Sequence, residues 1–347
     1  MAQQAYVTET ADGDGSGSEQ RRTRLRRLLD GWRDGRKVWR RGIVLAVLAV
    51  LCALVMAVHA QIPNRIGNLG SLIETFLPWF GLAVPVLLLL ALIRRSATAL
   101  IAVILPAVVW LNLFGGLLTG KAAATGGDLT VVTHNVNAEN PDAFGTARDV
   151  AASGADVVAL EELTSDAVPV YENALGETYP YHSVQGTVGL WSTYPLSDIR
   201  PVDIELGWTR AMRATVDAPG GQLAVYVAHL PSVRVKLEAG FTARQRDTSA
   251  DALGEAIARE RVERVVLLGD LNGTMNDRAL NAVTAQMRST QGAAGNGFGF
   301  SWPASFPLAR IDQILVKGVE PISSWTLPAT ASDHLPVAAR VDLTQPR

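Results

Sequence analysis

Cysteine is almost absent from this sequence. The 347 residues hold one, Cys52, inside an apolar stretch. A single cysteine forms no intrachain disulfide, and one placed there offers neither a thiolate metal cluster nor a nucleophile. Also missing are a GxSxG nucleophile elbow and a GxxxxGK[ST] phosphate loop, and the glycines of 292–299 are compositional rather than a dinucleotide fingerprint. Charge is scarce in one region: Ile43 to Gly120 carries only Arg65, Glu74, Arg94 and Arg95. The rest is ordinary, with 48% hydrophobic and 18% charged residues and a net charge of −2, so the chain is not disordered as a whole. Its length allows about two folded units, and the partition of charge reads as a membrane anchor followed by a globular domain.

Residues 1–20 are rich in Gly, Ser, Asp, Gln and Glu, the composition of a tail that buries too little surface to fold. From Arg21 to Arg41 there are ten Lys or Arg and two Asp, interleaved with Leu25, Leu28, Leu29, Trp32 and Trp39. Two readings stand: a basic amphipathic helix on an anionic lipid surface, or a solvated run that sets topology. Together 1–41 form a disordered and basic cytoplasmic tail, and 42–120 an anchor. Within the anchor, apolar segments at 42–60, 72–93 and 97–119 each approach the roughly 20 residues needed to cross a bilayer as a helix. The basic run precedes the first segment, Arg94-Arg95 separate the second and third, and only Arg65 and Lys121 lie on the other side. The positive-inside rule therefore predicts a cytoplasmic N-terminus and an extracellular C-terminal domain. A cleaved first segment, with Val58-His59-Ala60 as the cleavage site, is an alternative that leaves the domain on the same side. His59 and Glu74 fall at segment edges and are expected at the interface.

The segment 126–347 has seventeen Lys or Arg and twenty-six Asp or Glu, a net charge of −9. That acidity weakens a nucleic-acid reading, because proteins that track a phosphate backbone carry a basic face. Strands are predicted at Leu129–Thr133, Val157–Leu160, Gly189–Ser192, Ala211–Val216, Leu223–Val227, Val265–Leu268, Ile311–Val316 and Val337–Val341, and helices near 142–153, 163–176, 240–263 and 277–287. The pattern is mixed α/β. Continuous apolar runs such as VVLLGD predict sheets covered on both faces. Gly292–Gly299 reads as a loop, and there is no internal repeat.

Polar residues follow these strands in series, where strand ends of α/β sheets face a common crevice. The series Asn135, Asp156 to Glu162 (DVVALEE), His229 (AHLPS), Asp270 and Asn272 (GDLN), Asp312 (RIDQILV) and Asp333-His334 (SDHLP) resembles the endonuclease/exonuclease/phosphatase superfamily, with the DNase I-like fold, in the motif order of that family. The resemblance covers essentially all of 126–347, and GLWSTYPLSD resembles a further family strand in which Arg often stands at the position of Thr193. It implies a four-layered α/β sandwich, here preceded by three transmembrane helices, with the site at one end of the sheets.

Carboxylates and an amide oxygen are hard ligands suited to Mg²⁺ or Mn²⁺, which stabilise charge on a phosphate. Glu162 is expected as the main ligand, with Asn135 and Asp333 completing the shell, while strand alternation turns Glu161 to the other face. Asp270 is expected to align or deprotonate a water, Asn272 to donate to the phosphate, His334 to hold a proton under the influence of Asp312, and His229 to act as general acid or phosphate clamp. His134 and His182 are expected to be structural. A short tether from Lys121 to Asp128 keeps this domain near the bilayer, so a lipid-linked phosphate or pyrophosphate fits best. A basic tail, three spans and an outer DNase I-like domain resemble the actinobacterial membrane proteins of the VanJ type, associated with teicoplanin resistance. That resemblance implies action on undecaprenyl pyrophosphate or a related cell-wall intermediate. The alternatives are a tethered extracellular nuclease or phospholipase C-like phosphodiesterase and, from another class, a non-catalytic module that binds lipid phosphate or antibiotic.

Overall fold

In the globular part, runs of apolar residues become strands buried on both faces, because each sheet is sandwiched between a second sheet and a layer of helices. A computed structural model describes residues 40–64, 68–123, 125–232 and 240–343. The expected disordered tail, nearly all of the basic run and Arg65 lie outside the described residues. Twelve strands are present among them: β1 (Leu129–Asn135), β2 (Val157–Glu161), β3 (Tyr181–Gln185), β4 (Val188–Ser192), β5 (Leu196–Pro201), β6 (Ala211–Ala218), β7 (Gly221–Ala228), β8 (Val265–Asp270), β9 (Arg288–Ser289), β10 (Asp312–Lys317), β11 (Glu320–Thr326) and β12 (Val337–Asp342). They form two six-stranded sheets, in the orders β11-β12-β1-β2-β4-β3 and β5-β6-β7-β8-β10-β9. Each sheet has one parallel pair at its centre, β1/β2 or β7/β8, flanked by antiparallel pairs.

Alternation divides each strand between two cores. Val131, Val157 and Ala159 of one sheet meet Val225, Val227, Val266, Leu268 and Ile314 of the other. The residues between them face outward. Val132, Val158 and Leu160 pack under Ala147, Val150, Tyr171 and Leu175, while Tyr226, Val265 and Leu267 pack under Leu253, Ile257 and Val283. The result is the four-layered sandwich expected from the sequence. Its first outer helix starts where Asp142 caps it, the carboxylate accepting from the Gly145 N–H at 2.8 Å.

The described α-helices are α1 (Ile43–Ala57), α2 (Leu69–Thr75), α3 (Ala83–Ile93), α4 (Ala97–Phe114), α5 (Ala143–Ala151), α6 (Val168–Leu175), α7 (Gly240–Ala258), α8 (Asn281–Thr284) and α9 (Thr290–Ala294). Three spans are not what the apolar region shows. Among the described residues one helical stretch, Ala97–Leu117, is long and apolar enough to cross a membrane; Leu69–Thr75 and Leu77–Ile93 meet at a 68° bend, and Ile43–Ala57 is fifteen residues long. Pro78, which has no N–H to continue a helical ladder, lies at the bend and separates α2 from the helix expected over 72–93. The chain divides into two compact units, Met1–Ala57 with Trp79–Trp110, and Val58–Pro78 with Leu111–Arg347, so α2 belongs with the sandwich.

Within the second unit α2 is pinned by side chains of the globular fold. The fully buried Arg246 pairs with Asp277 at 2.7 Å and donates to Ser71 Oγ at 3.0 Å and to the Asn272 carbonyl at 2.9 Å. Arg278 donates to the carbonyls of Ala60 and Ile62, and Thr274 Oγ1 to that of Glu74.

Candidate active site

The parallel pairs bring the C-terminal ends of β1 and β2 together in one sheet and of β7 and β8 in the other. The antiparallel register pairs Asp312, the first residue of β10, with Asp270, the last of β8. These ends meet in a cleft of about 470 Å³ whose lining includes Glu162, Arg210, His229, Asp270, Asn272, Trp302, Asp333 and His334. Its opposite wall is Ser71, Leu72 and Thr75 of α2 with Phe76.

Asp270 is the hub. Asn135 Nδ2 donates to Asp270 Oδ2 at 3.0 Å and to Glu162 Oε1 at 3.1 Å. The backbone N–H of Asn272 donates to Asp270 Oδ1 at 2.9 Å, and Asn272 Nδ2 donates to Asp270 Oδ2 at 3.2 Å and to the Leu230 carbonyl at 2.9 Å. Both amide hydrogens of Asn272 are thus engaged, so this residue positions Asp270 rather than presenting a donor to a phosphate. His229 Nε2 and His334 Nε2 stand 3.7 and 3.9 Å from Asp270 Oδ2. Burial, and then the Asp312 charge, push the Asp270 carboxyl up to about 7.

The two histidines are in opposite states. His334 Nδ1 lies 2.9 Å from Asp312 Oδ2, and Asp312 in turn accepts from Ser301 Oγ at 2.6 Å. Burial opposes the imidazolium, but Asp312, with Asp270 and Asp333, overcomes it and raises His334 to about 10. His229 has Arg210 Nη2 against its Nδ1. A guanidinium only donates, so Nδ1 accepts and the ring proton sits on Nε2, 3.6 Å from Glu162 Oε1. Burial, then Arg210 and His334, hold this imidazole well below its ordinary value and therefore neutral.

The site residues expected from the sequence are all here: Asn135, Glu162, His229, Asp270, Asn272, Asp312 and His334 form one contact network, and Asp333 lines the cleft as an exposed carboxylate. Three details differ. Glu161 does not turn away: it pairs with Asn135 across β1/β2, is fully buried, and accepts from Thr133 Oγ1 at 2.8 Å beneath the site. Glu162 reaches the cleft because its backbone is left-handed, with φ of 61°, which breaks strand alternation. Asn135 turns its nitrogen, not its oxygen, toward Glu162, since Oδ1 accepts from the Asn137 N–H at 3.0 Å. Thr193 bonds to Asp156 at the other end of β2, away from the cleft. His134 is buried against Thr330, and His182 stacks on Trp191, structural roles in both cases.

Arg210 was not singled out by sequence, although the signal was available: β6 and β7 form a hairpin in which Ala211 faces Ala228, so the next pair outward is Arg210 and His229. Its guanidinium also stacks over Trp208 at 5.0 Å. α2 was hidden within the segment read as a span.

The donor set suits a hard divalent cation. Glu162, Asp270 and Asp333 supply three carboxylates lining one cleft against Arg210 and the His334 imidazolium, with a fourth, Asp312, buried behind His334.

Residues 132–334, more than half of the chain, match the model of the Endonuclease/Exonuclease/phosphatase family. Among curated proteins none matches the chain. Solved structures similar to it include D. rerio TDP2 complexed with single strand DNA product (17% identity, 62% of this chain and 98% of that one, TM-score 0.51). An endonuclease/exonuclease/phosphatase from Bacteroides vulgatus aligns comparably (18%, 62% and 98%, 0.51), as does the mannosyl-6-phosphatase Bt3783 of Bacteroides thetaiotaomicron VPI-5482 (16%, 61% and 99%, 0.50). At these identities the likeness is one of fold.

Proposed function

The chain belongs to the endonuclease/exonuclease/phosphatase family, and from that membership we propose that it is a membrane-anchored, divalent-metal-dependent phosphoester or pyrophosphate hydrolase whose substrate is a lipid-linked phosphate. The observation that carries the hydrolytic reading is Asp270, a buried carboxylate at the floor of the cleft, hydrogen-bonded by Asn135 and Asn272 and flanked by His229 on Arg210 and His334 on Asp312. A pure binding module needs no such pairing.

Mg²⁺ or Mn²⁺ held by Glu162 with Asp333 would neutralise charge on the phosphoryl group, while Asn135 keeps its amide nitrogen on the Glu162 and Asp270 carboxylates. Asp270 orients a water and takes its proton as the oxygen adds to phosphorus and the bond to the leaving group breaks. Asn272 and Asn135 fix the carboxylate for that role. His334, charged through Asp312, faces the developing negative charge. His229, neutral with its proton on Nε2, donates a hydrogen bond to a phosphoryl oxygen, and Arg210 holds it in that tautomer.

The lipid-linked substrate rests on the acidity of the globular segment, net −9, and on its tether to an apolar region. The charges flanking that region support a cytoplasmic N-terminus and an extracellular catalytic domain. Undecaprenyl pyrophosphate is the specific candidate, with a part in teicoplanin resistance carried by the VanJ-type arrangement. The fold itself serves nucleic-acid and sugar-phosphate chemistry in other proteins and does not choose.

The test is phosphate release by the purified full-length protein with Mg²⁺, comparing undecaprenyl pyrophosphate with plasmid DNA. Lipid turnover without nicking is expected, reduced about 10²–10⁴-fold in Asp270→Asn. Nicking without lipid turnover would make the protein a tethered nuclease, and full activity in Asp270→Asn would remove the site assignment.

A further inference from the structure

A second cavity, of about 280 Å³, adjoins the catalytic cleft within the same compact unit. Pro78, Leu113, Phe114, Leu117, Phe298 and Phe300 give it an apolar wall. The aromatic rings pack on one another, Phe114 on Phe298 at 5.9 Å and Phe298 on Phe300 at 5.1 Å. Its polar residues turn their donors to backbone carbonyls: Gln313 Nε2 to Arg310 at 2.8 Å, Gln291 Nε2 to Gly297 at 2.9 Å, and Arg310 Nη1 to Gly299 at 2.8 Å.

Three stretches of chain run from the cleft into this cavity. Thr75 lines both; Asn272 lines the cleft and Thr274 the cavity; Ile311 lines the cleft and its neighbour Arg310 the cavity. Leu72 and Phe76 continue the apolar surface on the cleft side. A molecule whose phosphate meets Asp270, His229 and His334 therefore has an apolar cavity on the far side of Thr75, next to the reacting atoms.

We infer that this cavity is the subsite for the hydrocarbon chain of the substrate, so that the enzyme selects long-chain alkyl or prenyl phosphates over short, water-soluble ones bearing the same head group. This deepens the lipid-phosphate reading and rests on it. The occupant is a hydrocarbon chain because aliphatic side chains and phenyl rings make up most of the accessible lining, while its polar groups, among them the unpaired Oε1 atoms of Gln291 and Gln313, are buried behind that surface.

The experiment uses the full-length protein with dimethylallyl, geranyl and farnesyl diphosphates, which share one head group, and a Leu117→Trp variant that fills the cavity without touching the cleft. Each buried methylene adds about fourfold to affinity, so kcat/KM should rise at least roughly tenfold from the five-carbon to the fifteen-carbon substrate. Leu117→Trp should abolish that rise while leaving dimethylallyl diphosphate turnover unchanged. Hydrolysis with no chain-length dependence, or a dependence that persists in Leu117→Trp, would overturn the subsite and leave the hydrolase intact. A direct measurement separates the converse failure: binding of a non-hydrolysable farnesyl phosphonate by calorimetry, lost in Leu117→Trp, would sustain the cavity even if no diphosphate were turned over, in which case the hydrolase reading fails alone.

Discussion

Alternation along β2 places Glu161, not Glu162, on the face of Asn135, and a strict period-two reading of DVVALEE would choose the wrong glutamate. The left-handed backbone at Glu162 reverses this locally, and nothing in the sequence announces it, because a non-glycine residue adopts that region only where its surroundings enforce it. Asn272 is also left-handed, with φ of 47°, but asparagine adopts that region readily. Asp270 and Asp312, by contrast, were legible as the end residues of regular strands, and His334 as part of the SDH run that precedes the last one. Residue-level electrostatics also governs Glu260, far from the cleft. Its burial works against ionisation, but Arg213 at 2.9 Å, the Val262 N–H and the Tyr226 hydroxyl outweigh it and lower the carboxyl from near 4.5 to about 2. A folded value below the unfolded one contributes stability that is complete above about pH 4.5 and is lost as pH falls through about 2. Glu260→Gln is expected to lower the urea midpoint at pH 7 and to flatten its acid-side slope. Parallel pH profiles for variant and wild type would show that the carboxylate contributes nothing to folding.

Among elements, the eight strands predicted from sequence are the eight interior strands, and the four that were not, β3, β5, β9 and β11, are the four sheet edges. The reason is burial. Interior strands are apolar on both faces, whereas edges are short, exposed or interrupted: Tyr181 and His182 are exposed in β3, β5 carries Asp198, Arg200 and Pro201, β9 has two residues, and β11 contains Pro321. α2 escaped for a different reason, since its apolar face matches a membrane span as well as it matches a cleft wall. Its placement depends on Arg246, a fully buried cation whose two terminal nitrogens reach Asp277, Ser71 and the Asn272 carbonyl. Removing one partner of a buried pair leaves the other charge uncompensated and costs about 3–5 kcal/mol. Arg246→Met should therefore lower Tm by on the order of 10 °C and expose the 58–78 segment to limited proteolysis. Arg246→Met with Asp277→Leu should recover part of the loss. A single variant that melts with wild type would mean that the segment is held by apolar packing alone.

Charge is separated along the whole molecule: basic residues crowd Arg21–Arg41, while 126–347 carries a net −9. The second unit concentrates part of that excess in its cleft, where Glu162, Asp270, Asp312 and Asp333 outnumber Arg210 and the His334 imidazolium. Burial first, and then the Asp312 charge, raise the Asp270 carboxyl to about 7, which withdraws one negative charge from the cleft near neutrality along with a proton acceptor. A divalent ion would stabilise the charged form instead, and because it binds only the folded cleft it would stabilise the fold by mass action, about 2.7 kcal/mol at a hundredfold excess over Kd. For a domain of this size that corresponds to a rise in Tm on the order of 5–10 °C after treatment with chelator and return of Mg²⁺. NaCl at matched ionic strength separates site binding from general screening, which at about 0.1 M weakens interactions between surface charges more than about 10 Å apart. Glu162→Gln, which removes one ligand while keeping the shape of the side chain, should lose most of the Mg²⁺-dependent shift and none of the salt-dependent one. A Tm that responds equally to Mg²⁺ and to NaCl would leave the carboxylates of the cleft without their cation and would move the burden of charge stabilisation onto Arg210 and His334.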